Sequence, residues 1–317
     1  MWWNADGTSP ARRDDGQMRI LVALGGNALL RRGQSADAAT QRRNVEDAAV
    51  VLSELAAEHD LVIAHGNGPQ VGLLALQSES YRSVHPYPLD VLGAESEGMV
   101  GYLLELALRN QIPDRDIATL LTETTVDADD PAFEEPTKPI GPVYSGAEAA
   151  RLRAERGWVI GRDGDRFRRL VPSPEPQAIS ELRPLRLLVD AGVLVICAGG
   201  GGVPVTVGAD GRLRGVGGVV DKDLTAALLA RRLDADLLLM LTDVDAVHLG
   251  WGTERDHALR EATVDQLRER DFAAGSMAPK VEAACRFVEA TDGTAAIGAL
   301  GDAVRVVGGD AGTLVSS

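Results

Sequence analysis

The feature that most constrains this chain is a short apolar run that ends in a cluster of glycines and leads into a helical pattern, met several times along its length. Arg19 to Leu24 (RILVAL) runs into Gly25-Gly26-Asn27, and after a polar loop a helical period spans Thr40 to Glu58. Leu61 to Ala64 (LVIA) runs into His65-Gly66-Asn67-Gly68-Pro69, followed by Val71, Leu73, Leu74 and Leu76 at helical spacing. Val193 to Ala198 runs into Gly199 to Gly202. Strands that are apolar throughout, rather than alternating, suit a parallel sheet covered on both faces. Strands alternating with helices then predict an α/β fold, a mainly parallel open sheet between helical layers.

The remaining elements extend this scheme. Leu89 to Arg109 reads as a long buried helix, Ala118 to Leu121 as a strand, and Leu237 to Leu241 (LLLML) as a buried strand feeding Thr242-Asp243-Val244-Asp245. Helices are expected at Leu224 to Leu233, Thr263 to Arg270 and Lys280 to Ala290, with late strands at Ala295 to Ile297 and Ala303 to Val307. The texture changes between Pro131 and Pro176, which hold seven of the fifteen prolines, and seven of the 29 arginines lie between Arg151 and Arg169. Such a proline-stiffened excursion reads as a lid or small subdomain, the alternative being a solvated arm or an oligomer contact.

Charge and cysteine content narrow the function. With 32 Lys and Arg against 47 Asp and Glu, the net charge of −15 repels nucleic acid and anionic membranes. The longest uncharged stretch, Ala191 to Ala209, carries six glycines and Pro204 and is no membrane span. Two cysteines, Cys197 and Cys285, are too few for a disulfide framework and suit a reducing cytoplasm. Residues 1 to 17 lack a signal-peptide run and read as a disordered tail, with Met18 a candidate start.

Against 29 arginines there are only three lysines, Lys138, Lys222 and Lys280. A compact ammonium and a planar guanidinium differ wherever a point charge must approach a phosphoryl group. In so strong an arginine background each lysine is a candidate functional residue, the plain alternative being three surface lysines left by chance.

In an open α/β sheet ligands bind beyond the carboxyl ends of the strands, where this sequence places its glycine clusters. Glycine lets backbone N–H groups approach an anion, although a single Gly-Gly turn is more often mere chain reversal. No turn carries the G-x-x-x-x-G-K-[ST] pattern of a Walker loop, and Gly25-Gly26-Asn27-Ala28-Leu29-Leu30 lacks the dinucleotide fingerprint. Asp221-Lys222-Asp223 precedes one helix and Lys280 opens another, so ammonium groups stand at helix N-termini beside glycine turns. Phosphoryl transfer needs in-line positioning and charge compensation more than covalent help, and such lysines meet that need with magnesium bridging phosphate oxygens. His65, at a strand-to-turn junction, is an acid or base candidate but more simply a structural hydrogen-bonding residue.

The strings VALGGNAL (22–29), HGNGPQVG (65–72), PTKPIGP (136–142), LVPSPEP (170–176), CAGGGGVPV (197–205), VVDKD (219–223), LTDVDAV (241–247) and FAAGSMAPKVEAA (272–284) together resemble the carbamate kinases of the amino-acid kinase family. The resemblance runs from about Arg19 to the C-terminus. It implies a three-layer αβα sandwich with a small protruding lid, usually a homodimer, and reversible phosphoryl transfer between carbamoyl phosphate and ADP, giving ATP and carbamate, with Mg2+ held mainly by phosphates. By position, Gly25, Gly26 and Asn27 would hold the transferring group, and Gly66, Asn67 and Gly68 the carbamate end. Lys222 and Lys280 would neutralise charge in flight, Asp223 would orient both, and Lys138 would reach the anion from the lid. Thr242, Asp243, Val244 and Asp245, with Gly275, Ser276 and Met277, would border the nucleotide. Residues 18–198, with the lid at about 131–176, would form the carbamate lobe and 199–317 the nucleotide lobe.

Two departures stand out. Many relatives in the wider family carry Lys two residues before the first Gly-Gly, where this chain has Ala23, and the resemblance to carbamate kinases implies that the Lys of the Asp-Lys-Asp motif, Lys222 here, takes that place. A Gly-Trp-Arg string of the lid reads Arg166-Phe167-Arg168 here. The alternatives are another acylphosphate-forming kinase, for acetylglutamate or glutamate, and a nucleotide-binding sensor without turnover.

Overall fold

Arg19–Leu24 runs through the middle of an eight-stranded sheet with all six residues buried. From one edge the order is Glu261–Thr263, Thr313–Ser316, Thr294–Ala299, Leu237–Thr242, Arg19–Leu24, Asp60–His65, Leu194–Cys197 and Ile117–Thr119. Neighbours pair in parallel except Thr313–Ser316, which is antiparallel to Thr294–Ala299. This computed structural model describes residues 16–30, 33–81, 83, 85–253, 256–272 and 277–317, with backbone alone at 27 and 28. The Asn27 side chain, Gly275, Ser276 and most of the expected N-terminal tail lie outside the described residues.

The strand period of two explains the three layers. Ile20, Val22 and Leu24 face the core shared with helices Ala38–Glu58 and Leu89–Gln111, whereas Leu21 and Ala23 face the core shared with Leu182–Asp190, Lys222–Arg232 and Met277–Ala290. Ala38–Glu58 begins where Asp37 accepts a hydrogen bond from the Thr40 amide at 2.8 Å, and it buries Val45, Ala48, Leu52 and Leu55 along one stripe. No helix among the described residues is long and apolar enough to cross a membrane.

One expected strand is a helix. Ala303–Val307 buries Ala303 and Val306, three residues apart, while Val304 and Arg305 face solvent, which is the period of a helix and not of a strand. The last strand of the chain is Thr313–Ser316.

The proline-rich segment does form a subdomain. Lys138–Tyr144, Arg166–Val171 and Ile160–Asp163 make a three-stranded antiparallel sheet around helix Gly146–Arg156, whose start is a reciprocal Ser145–Glu148 capping box. Tyr144, Ala149, Leu152 and Ile160 give it a small core of its own. It rests on helix Gly68–Ser80 backbone to backbone: a Cβ on Gly72 would lie 1.9 Å from the Gly141 Cα. A further four-stranded sheet, Leu213–Gly215, Val203–Val207, Glu123–Thr125 and Ala178–Ile179, was not legible in the strand patterns.

Candidate active site

Strand register brings the glycine turns to one edge. Leu24 pairs with both Leu241 and His65, and Ala64 with Cys197, so four neighbouring strands end at the same level and release their turns side by side. The Gly25 amide donates to Leu241 O at 2.8 Å and the Gly66 amide to Leu24 O at 2.9 Å, which fixes both turns to the sheet. A Cβ on Gly66 would sit 2.7 Å from the Gly26 N and 3.4 Å from the Lys222 Cδ, and one on Gly200 would strike the Asn67 amide. The glycines are therefore required by close approach, and Gly26, Gly66, Asn67 and Lys222 meet at one place.

Above these turns stand the lysines. Helix Lys222–Arg232 starts at Asp221, whose Oδ1 accepts from the Asp223 amide at 2.9 Å. Lys222 Nζ donates to Asp223 Oδ1 at 2.5 Å, and Lys280 Nζ, from the first turn of Met277–Ala290, donates to Asp223 Oδ2 at 2.9 Å. Asp223 and Lys280 are buried. Lys138 Nζ reaches across from the subdomain to Asp221 Oδ2 at 2.5 Å. All three lysines thus converge on one pair of carboxylates, Asp221 and Asp223, and are not scattered surface cations.

The electrostatics follow from burial. Burial pushes Lys222 down to about 8, helped by Lys280 and opposed by Asp223. For Asp223 burial would favour the acid, but Lys222 and Lys280 outweigh it and hold the carboxyl well below the usual range. Burial also opposes the charge on Lys280, yet Asp223 keeps it above its ordinary value. Around Asp223, the two ammonium groups of Lys222 and Lys280 face a single carboxylate, which leaves a buried, net positive spot beside the glycine turns.

His65 is wholly buried, its Nδ1 3.3 Å from Gly66 O, and burial lowers it to about 4. It is neutral and structural, the simpler of its two expected roles. Thr242 is buried beside Gly25, its hydroxyl 3.1 Å from Asp243 Oδ1, while Asp245 accepts from His248 Nε2 at 2.8 Å at the start of an exposed hairpin. Val244 and Met277 are half-buried. Among the described residues no three His, Cys, Asp or Glu side chains form a metal-ligand cluster.

Sequence reasoning missed what supports the glycine turn at Ala198–Gly202. Ala198, Gly200, Gly201 and Gly202 all have positive φ. The Ala198 amide donates to Thr122 Oγ1 at 2.9 Å and the Gly199 amide to Glu97 Oε1 at 2.9 Å, while the Thr124 and Thr225 hydroxyls both donate to Gly201 O. The available signal was Glu97 itself, a carboxylate on the same helix face as Val100, Gly101, Leu104 and Leu108. Asp221 as the partner of Lys138 was likewise unforeseen, because the two are 83 residues apart.

A three-layer sandwich whose glycine turns and paired lysines share one sheet edge defines a phosphotransferase. The sequence model of the amino acid kinase family matches residues 18–298, and the chain belongs to that family, among its carbamate kinases. It is 52% identical to the carbamate kinase of Rhizobium meliloti (strain 1021) over 303 residues, 95% of this chain and 94% of that relative. It is 43% identical to the carbamate kinase of Pyrococcus horikoshii over 94% of this chain and 99% of the relative. The carbamate kinase from Giardia lamblia bound to citric acid superposes with a TM-score of 0.90 at 38% identity, covering 95% of this chain and 99% of that one.

Proposed function

We propose that this chain transfers a phosphoryl group reversibly between carbamoyl phosphate and ADP, giving ATP and carbamate, which decays to ammonia and carbon dioxide. The observation that carries this reading is Asp223 holding Lys222 on one oxygen and Lys280 on the other, directly beside the Gly26 and Gly66 turns. A β-phosphate oxygen of ADP attacks phosphorus, and the bond from phosphorus to the carbamate oxygen breaks. Carbamate leaves as an anion, so no general base is needed, and a neutral buried His65 is compatible with that.

The residues take the following parts. Gly25, Gly26 and Asn27 cradle the moving phosphoryl group, and Gly66, Asn67 and Gly68 hold the carbamate end. Lys222 and Lys280 offset charge on the group in flight, and Asp223 keeps them apart and aimed. Thr242 to Asp245 with Gly275 to Met277 border the nucleotide, which places carbamate on the 18–198 half and nucleotide on 199–317. Both Asp223 oxygens are already bonded to ammonium groups, so the donor set fits Mg2+ only as an ion carried by nucleotide phosphates. When bound it supplies further neutralisation of phosphate charge. Lys138 brings the 131–176 subdomain onto the anion as a lid. A cytoplasmic homodimer completes the proposal.

Purified protein given carbamoyl phosphate, ADP and Mg2+ should form ATP. In the reverse direction carbamate should outcompete acetylglutamate, glutamate and aspartate as acceptor. Calorimetric ADP binding without any transfer would identify a sensor instead and overturn the reading.

A further inference from the structure

Glu97 occupies a place where a carboxylate has little reason to be. It lies on the buried stripe of Leu89–Gln111 and is 1% exposed. Oε1 accepts from the Gly199 amide at 2.9 Å, and among the described residues no ion pair reaches it and Oε2 has no hydrogen-bond partner. A Cβ on Gly199 would lie 2.7 Å from the Glu97 Cγ and 2.6 Å from His65 Nε2, so both side chains press on the Gly199 Cα, and His65 Nε2 is also without a partner. A buried carboxylate with one close hydrogen bond, from Gly199, and no counter-charge is strongly disfavoured against the neutral acid.

The turn that Glu97 anchors connects to the reacting groups. Gly200 packs on the Asn67 amide, and a Cβ on Gly201 would sit 2.7 Å from Val220 O, just before Asp221. Gly201 O accepts from Thr225 Oγ1 at 3.0 Å, within the helix that starts at Lys222. We infer that Glu97 is a positioning residue for phosphoryl transfer, a neutral carboxylic acid that pins Gly199 and through the Ala198–Gly202 turn sets Asn67 and the Lys222–Asp223 pair. In its kinetic arm the inference rests on the transfer reaction proposed above.

Burial raises Glu97 to about 8, opposed first by the Gly199 amide and then, more weakly and from beyond hydrogen-bond contact, by the amide and hydroxyl of Thr122. The titratable groups facing it reinforce this. His65 is neutral, Cys197 is held as a thiol by burial, and Glu181, itself raised by burial, adds like charge.

The test compares Glu97→Ala and Glu97→Gln by steady-state kinetics and by melting temperature across pH. The Ala variant should lose about tenfold to a hundredfold in kcat, the cost of misplacing reacting groups by up to an ångström. Gln, neutral and isosteric, should restore most of it. Between about pH 4.5 and 8 the unfolded chain releases the Glu97 proton while the folded one retains it, so wild type loses stability relative to Gln across that window and the gap levels off above 8. A Gln variant as slow as Ala with a melting gap independent of pH would show a charged Glu97 and overturn the inference. So would unchanged kcat in both variants with only a lower melting temperature. Glu97→Met replaces Ala if that variant does not fold. If wild type itself makes no ATP the positioning role falls with the transfer reading, while the melting arm still decides whether Glu97 is neutral.

Discussion

Lys138 Nζ stands 2.5 Å from Asp221 Oδ2, while the other oxygen of the same carboxylate caps the helix that begins at Lys222. A single ion pair therefore ties the 131–176 subdomain to the residue preceding the proposed charge-compensating lysine. Burial would favour the acid form of Asp221, but Lys138 and Lys222 together outweigh it and hold its carboxyl below the usual value, so Asp221 is a carboxylate at neutral pH.

Lys138→Met should cut that tie. One charge-assisted bond of about 1.5 kcal/mol corresponds to roughly a tenfold fall in kcat/KM. In wild type, hydrogen exchange over residues 138–171 should slow when carbamoyl phosphate and ADP are added. The variant should show less of that protection, and equal protection with and without ligand in wild type would remove the lid from the mechanism.

Lys222→Met keeps the aliphatic stem and removes the charge. If Lys222 meets the phosphoryl group only as charge develops there, kcat should fall about a hundredfold to a thousandfold with ADP affinity little changed. Lys222→Arg should not recover it, because a guanidinium does not fit a site that the Gly66 backbone approaches this closely. With Lys222 at about 8 in the free enzyme, kcat/KM should decline above that pH as the ammonium is lost. A bound phosphoryl anion favours the charged form, so kcat should hold to higher pH. Glu97 titrates in the same region, and the limb belonging to Lys222 is best measured in the Glu97→Gln protein.

Asp223→Asn leaves two buried ammonium groups facing each other without their counter-charge. Breaking such a buried cluster costs about 3 to 5 kcal/mol, so the variant should melt well below wild type at neutral pH. The folded pKa of Asp223 lies below its unfolded value of 3.8. Its stabilisation is therefore fully present above about pH 4 and is lost as pH falls toward the folded pKa. The gap in melting temperature between wild type and variant should accordingly narrow in acid. A gap that stays constant down to pH 2.5 would mean that Asp223 does not hold the lysines as charged partners.

Much of this site could be read before folding because its determinants are local or compositional. Glycine turns after Leu24, Ala64 and Ala198 are visible as strings, and parallel strands must release them on one edge. The scarcity of lysine singled out the residues that the fold then gathered around Asp221 and Asp223. What stayed hidden depends on long-range packing. Thr122, Thr124 and Thr225 are unremarkable in sequence and become supports only when the Ala198–Gly202 turn lands between them. Ala303–Val307 misled because five residues rich in valine fit a strand or one helical turn, and only burial of Ala303 and Val306 decides between them.

The contact between Gly72 and Gly141 supplies a last test, because there the subdomain rests on helix Gly68–Ser80 backbone to backbone. Gly141 has a φ of +70°, and a methyl on Gly72 would meet its backbone, which no rotamer change can relieve. Gly72→Ala must either strain this packing, at about 1 to 3 kcal/mol, or lift the subdomain from the helix. Lifting would withdraw Lys138 from Asp221 and lower kcat/KM while leaving ADP affinity intact by calorimetry. If that is the route, Gly72→Ala and Lys138→Met remove the same interaction, and the double variant should be little slower than the worse single one. Independent, multiplying losses would show that Gly72 acts on the reaction by some path other than the lysine.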